Sequence, residues 1–399
     1  MSLRILHVTP YFVDAWAYGG IPRIATTLVR ELGRRGHKVT VCTTDAADAH
    51  QRAGHGPSGA AGSDARCGGA EVRTFANVSN GLAYHNQLFL PRGLGAYLRA
   101  RAGDFDVAHL HACRNLPVSL AARHLRRAGV PYVMAPNGTA PRIERRLMAK
   151  WAYDQLLGAA DLPGAAAVIA VTEAERRQLE ALGIDPARIR VVPNPVDLDE
   201  HLPPIARGRF RDAHGLGAGP LVLFLGKLTP RKRVDVLIRA MAHGVRRDAR
   251  LVIAGNDMGA APELVRQARA LRLADRIAFV GLLRGADRLE ALADADVVVY
   301  PSADEIFGLV PLEALLVGTP VIVADDSGCG EVIGEVGGGL VVPLGDDVSL
   351  ASGITEILSN PDGWRAQARA AAARVGERFG GAVVAGHLDA LYHDLVAAR

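Results

Sequence analysis

Residues 297–333 read VVVYPSADEIFGLVPLEALLVGTPVIVADDSGCGEVI, and the order of elements within them decides the architecture. The unbroken apolar run at 297–300 reads as a strand and the polar stretch at 302–308 as a loop. Residues 311–318 read as a helix that opens near Pro311 and closes at Gly318. Proline suits the first helical position, where an N–H has no partner anyway, and glycine suits the residue just past the end. A second apolar run follows at 321–324. Strands that are apolar throughout, joined through a helix, belong to a parallel sheet covered on both faces.

The same alternation extends in both directions. Upstream, strands are expected at 4–8, 38–43, 72–75, 106–110, 132–135, 167–171 and 190–192, with amphipathic helices between several of them. One such helix spans 22–35, with Pro22 as its first residue. The small, polar, glycine-rich residues 46–69 break the pattern and read as a mobile loop. After the proline-rich stretch 193–204 a second series places strands at 221–225, 251–254, 277–280, 297–300, 321–324 and 340–342. The expected fold is therefore α/β, with two doubly wound domains facing across a cleft. The first covers 1–195, with a helix at about 380–399 packing back on it, and the second covers 196–379. In such sheets ligands bind outside the carboxyl ends of the strands.

Composition removes several function classes. The 399 residues suffice for two to three domains, and 49 % apolar with 22 % charged is ordinary for a globular chain. Cys42, Cys67, Cys113 and Cys329 are widely spaced, which argues against a disulfide scaffold and a thiolate zinc site. The N-terminus lacks a secretory pattern, and no run of 18 uncharged apolar residues occurs, so a cytoplasmic location is expected. There is no G-x-x-x-x-G-K-[ST] string. The glycines at 215, 217 and 219 precede a strand instead of following one. Residues 1–200 carry 24 Lys and Arg against 18 Asp and Glu, and residues 201–399 carry 22 against 24. A basic first half suits an anionic partner such as a membrane surface. Aromatics, at 5 %, are not interleaved with basic runs, which argues against nucleic acid.

Only four residues are lysine, and two of them, Lys227 and Lys232, share the string GKLTPRKRV directly after the strand at 221–225. A pair of compact ammonium charges at a strand end suits a diphosphate leaving group, whose charge grows as its bond breaks. Glu305 lies in the loop after 297–300, and Glu313 falls at the third position of the helix expected to begin at Pro311. A helix N-terminus attracts phosphate, whereas carboxylates accept hydrogen bonds from sugar hydroxyls. The plainer alternative is a favourable first-turn acid and a solvated loop acid. In the first domain Gly19 and Gly20 directly precede the helix at 22–35 and would let backbone N–H groups approach an anion.

Taken in order, these residues resemble glycosyltransferase family 4, retaining enzymes of the GT-B fold. The pattern comprises Gly19-Gly20, His109-x-His111, Asn194-Pro195-Val196-Asp197, Gly226-Lys227 through Lys232, Glu305 with Glu313, and Gly318-Thr319-Pro320-Val321. The resemblance implies that Lys227 and Lys232 bind the donor diphosphate, although the family more often has arginine at the first. It also implies that Glu305 and the backbone amides around Phe307, Gly308 and Leu309 hold the transferred sugar. Glu313 would bind the ribose, and Gly19-Gly20 would meet the diphosphate from the other domain. Asn137 stands where the family often has a histidine near the sugar, and His111 is a further ligand candidate.

No carboxylate is marked as a nucleophile, so front-face substitution is expected, with positioning and charge stabilisation supplied by the protein. No cofactor or metal is expected beyond the nucleotide-sugar cosubstrate. The expected reaction moves a hexosyl group from GDP-mannose or a UDP-hexose to a glycan or lipid-linked acceptor, as in bacterial surface polysaccharide or glycolipid synthesis. A sugar-nucleotide epimerase and a non-catalytic nucleotide-sugar-binding subunit are the alternatives. Residues 141–157 set Arg142, Arg145, Arg146 and Lys150 among Ile143, Leu147, Met148, Trp151 and Leu156. A basic amphipathic helix of this kind either rests on anionic lipid or, more commonly, packs its apolar side on the core.

Overall fold

The computed structural model describes residues 1–48, 51–53, 59–143, 147–201 and 205–399. The chain divides into two units, Met1–Pro195 with Gly381–Arg399, and Val196–Gly380.

The first unit is built on an eight-stranded sheet: β1 (Arg4–Val8), β2 (Lys38–Thr44), β3 (Ala61–Ser63), β4 (Glu71–Phe75), β5 (Val107–His111), β6 (Tyr132–Ala135), β7 (Ala167–Ala170) and β8 (Ile189–Val191). Their spatial order is β3-β4-β2-β1-β5-β6-β7-β8, parallel except for β3 against β4. β1 lies between β2 and β5, so the strand order reverses beside it and a crevice opens beyond its carboxyl end. Apolar strand residues such as Leu6, Leu110, Met134 and Val168 pack with Leu98, Val118, Leu125 and Leu179 in one core. Full burial of each is worth roughly 1.5–3 kcal/mol. The last helix, Gly381–Ala397, belongs to this unit: Tyr392 is fully buried, its hydroxyl 2.6 Å from His109 Nδ1.

The second unit carries six parallel strands: β9 (Leu221–Leu225), β10 (Arg250–Ala254), β11 (Ile277–Gly281), β12 (Val297–Tyr300), β13 (Val321–Ala324) and β14 (Gly339–Val342). They are ordered β11-β10-β9-β12-β13-β14. This is the doubly wound order whose reversal falls between the first and fourth strands, here β9 and β12.

Several expectations need correction. The stretch 46–69 is not simply a loop, because it contributes β3 and a helical turn, Ala65–Cys67. Asp64 caps that turn by accepting from the Arg66 N–H. A three-residue strand of small residues pairs through backbone alone, so it leaves no hydrophobic period to read. Positions 49–50 and 54–58 of the stretch lie outside the described residues. The helix expected from Pro22 starts one residue earlier, as Ile21–Arg34, and the one expected from Pro311 starts two earlier, as Leu309–Leu316. Proline is tolerated throughout the first turn, where N–H groups have no intrahelical acceptor. The helix expected over 141–157 is described only as Leu147–Tyr153, continuing into a wider turn, Asp154–Gly158. None of its described residues is fully buried, and Ala152, Tyr153, Asp154 and Gly158 are half-buried. Arg145 and Arg146 lie outside the described residues.

Candidate active site

The reversal between β9 and β12 brings two loops together at the carboxyl edge of the second unit. The loop after β9 is bonded to the edge of β10, through Gly226 N–H to the Ala254 carbonyl at 2.9 Å and Leu228 N–H to Asn256 at 3.0 Å. Lys227 is half-buried on this loop, and Lys232 closes the turn Pro230–Lys232 with its side chain 10 % exposed. The Lys232 ammonium donates to the carboxylate of Glu305 and to the hydroxyl of Tyr300, the last residue of β12. Its Nζ also lies 4.3 Å from the centroid of the Tyr300 ring, a cation–π contact. Burial disfavours charge on Lys232, but Glu305 and Tyr300 outweigh it and raise its pKa. Burial likewise acts against the Glu305 carboxylate, and Lys232 and Arg231 more than offset it, so that its pKa is lowered.

The backbone of the Glu305 loop is fixed from both sides. The Glu305 carbonyl accepts from Cys329 N–H and from Ser327 Oγ, each at 2.8 Å. Ala303 N–H reaches the Arg231 carbonyl at 2.8 Å, and Asp304, at φ 51°, donates its N–H to Asp326 at 2.6 Å. Phe307 is buried edge-on to Phe379, with ring centroids 5.4 Å apart. Gly308 then caps the helix Leu309–Leu316 at φ 78°, and a Cβ there would overlap Cys329 Sγ. No side chain caps the first turn, so its N–H groups are presented at the Glu305 loop.

Glu313 stands at the fifth helical position rather than the third and is fully buried. Its carboxylate is bonded to Arg288 on the helix Gly285–Asp294, and Arg288 also meets Glu200 at 2.8 Å.

In the first unit, Gly19 (φ 100°) and Gly20 lead into Ile21–Arg34, and Gly20 is the N-terminal cap with no side-chain bond to the first turn. His111 does not stand at an open strand end: it is fully buried, stacked on His109 with centroids 4.3 Å apart, and its Nε2 lies 3.0 Å from His7 Nδ1. Burial pushes the His111 pKa down to about 3 and holds His7 and His109 far below the usual range, so all three are neutral. These histidines offer nitrogens within 4.8 Å of one another. The His109 and His111 rings are inclined by only 13°, so their in-plane lone pairs run side by side and do not converge on one ion. Asn137 is left-handed (φ 52°); its Nδ2 donates to Ala135 O at 3.2 Å, and its buried Oδ1 has no partner among the described residues. The adjacent Gly138 N–H is held at 2.6 Å by Glu175, which also accepts from Val171 N–H at 2.8 Å. Glu175 is fully buried, and burial raises its pKa to about 7.

Residues 18–200 match the family described as Glycosyltransferase Family 4, and residues 207–375 match that described as Glycosyl transferases group 1. A D-inositol 3-phosphate glycosyltransferase of Xylanimonas cellulosilytica is 32 % identical over 395 residues, covering 91 % of this chain and 88 % of the relative. The chain belongs to glycosyltransferase family 4. A relative of the same name from Actinosynnema mirum is 35 % identical over 62 % of this chain, and the chain spans 63 % of that relative's length. Anabaena HepE, solved with UDP and glucose, superposes with a TM-score of 0.75 at 19 % identity, covering 98 % of this chain and all of HepE. Sucrose-phosphate synthase of Thermosynechococcus elongatus gives 0.76 at 22 %, covering both chains in full. The fold is GT-B.

In this family 4 glycosyltransferase four side chains escaped the sequence reading: Tyr300, Arg288, Glu200 and Glu175. Tyr300 had a signal, as the one polar tip closing VVVY at a strand end. Arg288, Glu200 and Glu175 look in sequence like ordinary charges on solvated elements.

Proposed function

We propose that this glycosyltransferase moves a hexosyl group from a nucleotide sugar to a hydroxyl of a glycan or lipid-linked acceptor, with retention at the anomeric carbon. The observation that carries the reading is the buried Lys232–Glu305–Tyr300 cluster at the β9/β12 reversal. A diphosphate arriving there competes with Glu305 for the Lys232 ammonium. Each contact so formed is worth on the order of 4 kcal/mol at about 4 Å before desolvation. The displaced Glu305 carboxylate is then available to sugar hydroxyls, while Lys227 on the same loop adds a second positive charge. Glu313 supplies the acceptor for the ribose.

Chemistry proceeds on one face of the sugar. The bond from the anomeric carbon to the diphosphate oxygen breaks as the acceptor oxygen bonds to that carbon, and the acceptor proton passes to the departing phosphate oxygen. Charge develops on the leaving group, where the lysines stabilise it more in the transition state than in the ground state. A double displacement would need a carboxylate free to attack the anomeric carbon, and in this reading Glu305 and Glu313 are both engaged by hydroxyls of the donor.

HepE binds UDP and UDP-glucose, which supports a UDP-sugar as the first donor to try. The relatives named for D-inositol 3-phosphate favour a second reading in which a phosphorylated cyclic polyol is the acceptor. Thermal-shift titration with UDP-, GDP- and ADP-sugars tests the donor, because a ligand that binds only the native state raises Tm. Slow release of free sugar from the stabilising donor separates a transferase from a binding subunit. No stabilisation by any of the three would refute the reading.

A further inference from the structure

We propose that the segment from Leu147 to Gly158 is a docking surface for an anionic lipid bilayer. Leu147, Met148, Trp151, Leu156 and Leu157 are 52 %, 78 %, 50 %, 81 % and 55 % exposed, the densest run of exposed large apolar side chains among the described residues of the first unit. The segment buries none of its residues fully, and its five large apolar side chains stay exposed rather than adding to the core. Polar ties hold it in place instead: Asp154 meets Arg114 at 2.7 Å, and the Tyr153 hydroxyl lies 2.8 Å from Ser119 Oγ.

Charge selects the occupant. Asp154 is the segment's only acid and is neutralised by Arg114, with Arg142 3.7 Å away. Lys150 lies within the segment, and Arg126 on the neighbouring helix Leu116–Ala128 donates to the Ala160 carbonyl at 2.8 Å, just past its end. The exposed Arg123 and Arg127 share that helix. Exposed apolar side chains beside a helix that exposes Arg123, Arg126 and Arg127 fit acyl chains beneath anionic headgroups. A second copy docked on the same face would oppose like charges. The segment does not cross the bilayer, since no helix among the described residues is long and apolar enough to do so. This surface is independent of the transfer reading and would stand if the donor assignment failed.

The test is co-sedimentation of the whole chain with phosphatidylcholine vesicles and with vesicles of phosphatidylcholine and phosphatidylglycerol. Binding is expected to the second only, and to fall at high salt. The variant Met148→Ser/Trp151→Ser/Leu156→Ser is expected to bind at least about tenfold less, with unchanged Tm. Should it fail to fold, the fluorescence of Trp151, isolated by difference from Trp151→Phe, is expected to shift blue and be quenched by brominated phosphatidylglycerol. Three outcomes overturn the proposal: no binding to anionic vesicles, equal binding by the variant, or a wild-type dimer that the variant turns into a monomer.

Discussion

The ammonium of Lys232 and the carboxylate of Glu305 are bonded to each other across 73 residues of sequence, with side chains 10 % and 18 % exposed. Each is the other's neutralising charge in the absence of substrate, so structural and catalytic roles are entangled in single variants. Lys232→Ala strands Glu305 without a cation. Breaking a fully buried pair costs about 3–5 kcal/mol, and the residual exposure here lowers the expectation to about 2–3. Turnover is expected to fall by about 10²–10³-fold. The double variant Lys232→Met/Glu305→Gln removes both charges and is expected to regain most of the stability and none of the turnover. Urea unfolding beside donor hydrolysis separates the two effects. Turnover that returned with stability would show the pair to be scaffolding.

Glu313 presents the same ambiguity in another form, because its carboxylate already serves Arg288. If it also takes ribose hydroxyls, Glu313→Gln removes a charge-assisted hydrogen bond worth roughly 1.5–3 kcal/mol. UDP is then expected to bind at least about tenfold more weakly. The 2′,3′-dideoxy nucleotide, which has no hydroxyls to offer, is expected to bind variant and wild type alike. An equal loss for both nucleotides in calorimetry would assign Glu313 to anchoring Arg288 alone.

The turn between Glu305 and its helix depends on the missing Cβ of Gly308, which stands at φ 78° against Cys329 Sγ. Gly308→Ala therefore meets two penalties, about 1–2 kcal/mol for the left-handed backbone and about 1–3 for the overlap. Adding Cys329→Ala removes the sulfur and is expected to recover only the second part. Melting temperatures of the two single variants and the double give the partition. Full recovery would mean that backbone strain is absent.

Where elements begin and end was legible when the cause was local. Apolar runs such as VVVY and VIVA fix β12 and β13, and both sheets follow from the alternation. The helix start at Leu309 was not legible, because the left-handed cap at Gly308 leaves no room for a Cβ against Cys329, a residue 21 positions away in sequence. The same holds for side-chain partners. Glu305, Glu313, Lys227 and Lys232 were visible as residue types at strand and helix ends. That Lys232 points at Glu305 and Tyr300, or that Arg288 bridges Glu313 and Glu200, depends on how neighbouring elements pack. His111 misled for the converse reason. Its place at the end of β5 suggested access, but its ring is packed with His7 and His109 in the interior.

Glu175 gives the chain a pH dependence that the transfer site does not share. Its carboxylate is buried, holds the Gly138 and Val171 N–H groups, and has its pKa raised to about 7 from an ordinary value near 4.5. The fold therefore favours the protonated acid. This contribution is fully present below the unfolded pKa and is lost as pH rises through about 7. The shift corresponds to roughly 3 kcal/mol, an upper figure for one group. Wild-type Tm is expected to decline between about pH 5 and 8 more steeply than that of Glu175→Gln, which cannot ionise. The glutamine keeps a single acceptor oxygen for two N–H groups, so its Tm starts lower at pH 5, and the slope rather than the height of the curve is diagnostic. Parallel curves for the two proteins would place the titration elsewhere, whereas convergence toward pH 8 would locate it at Glu175, which holds the Gly138 N–H beside Asn137.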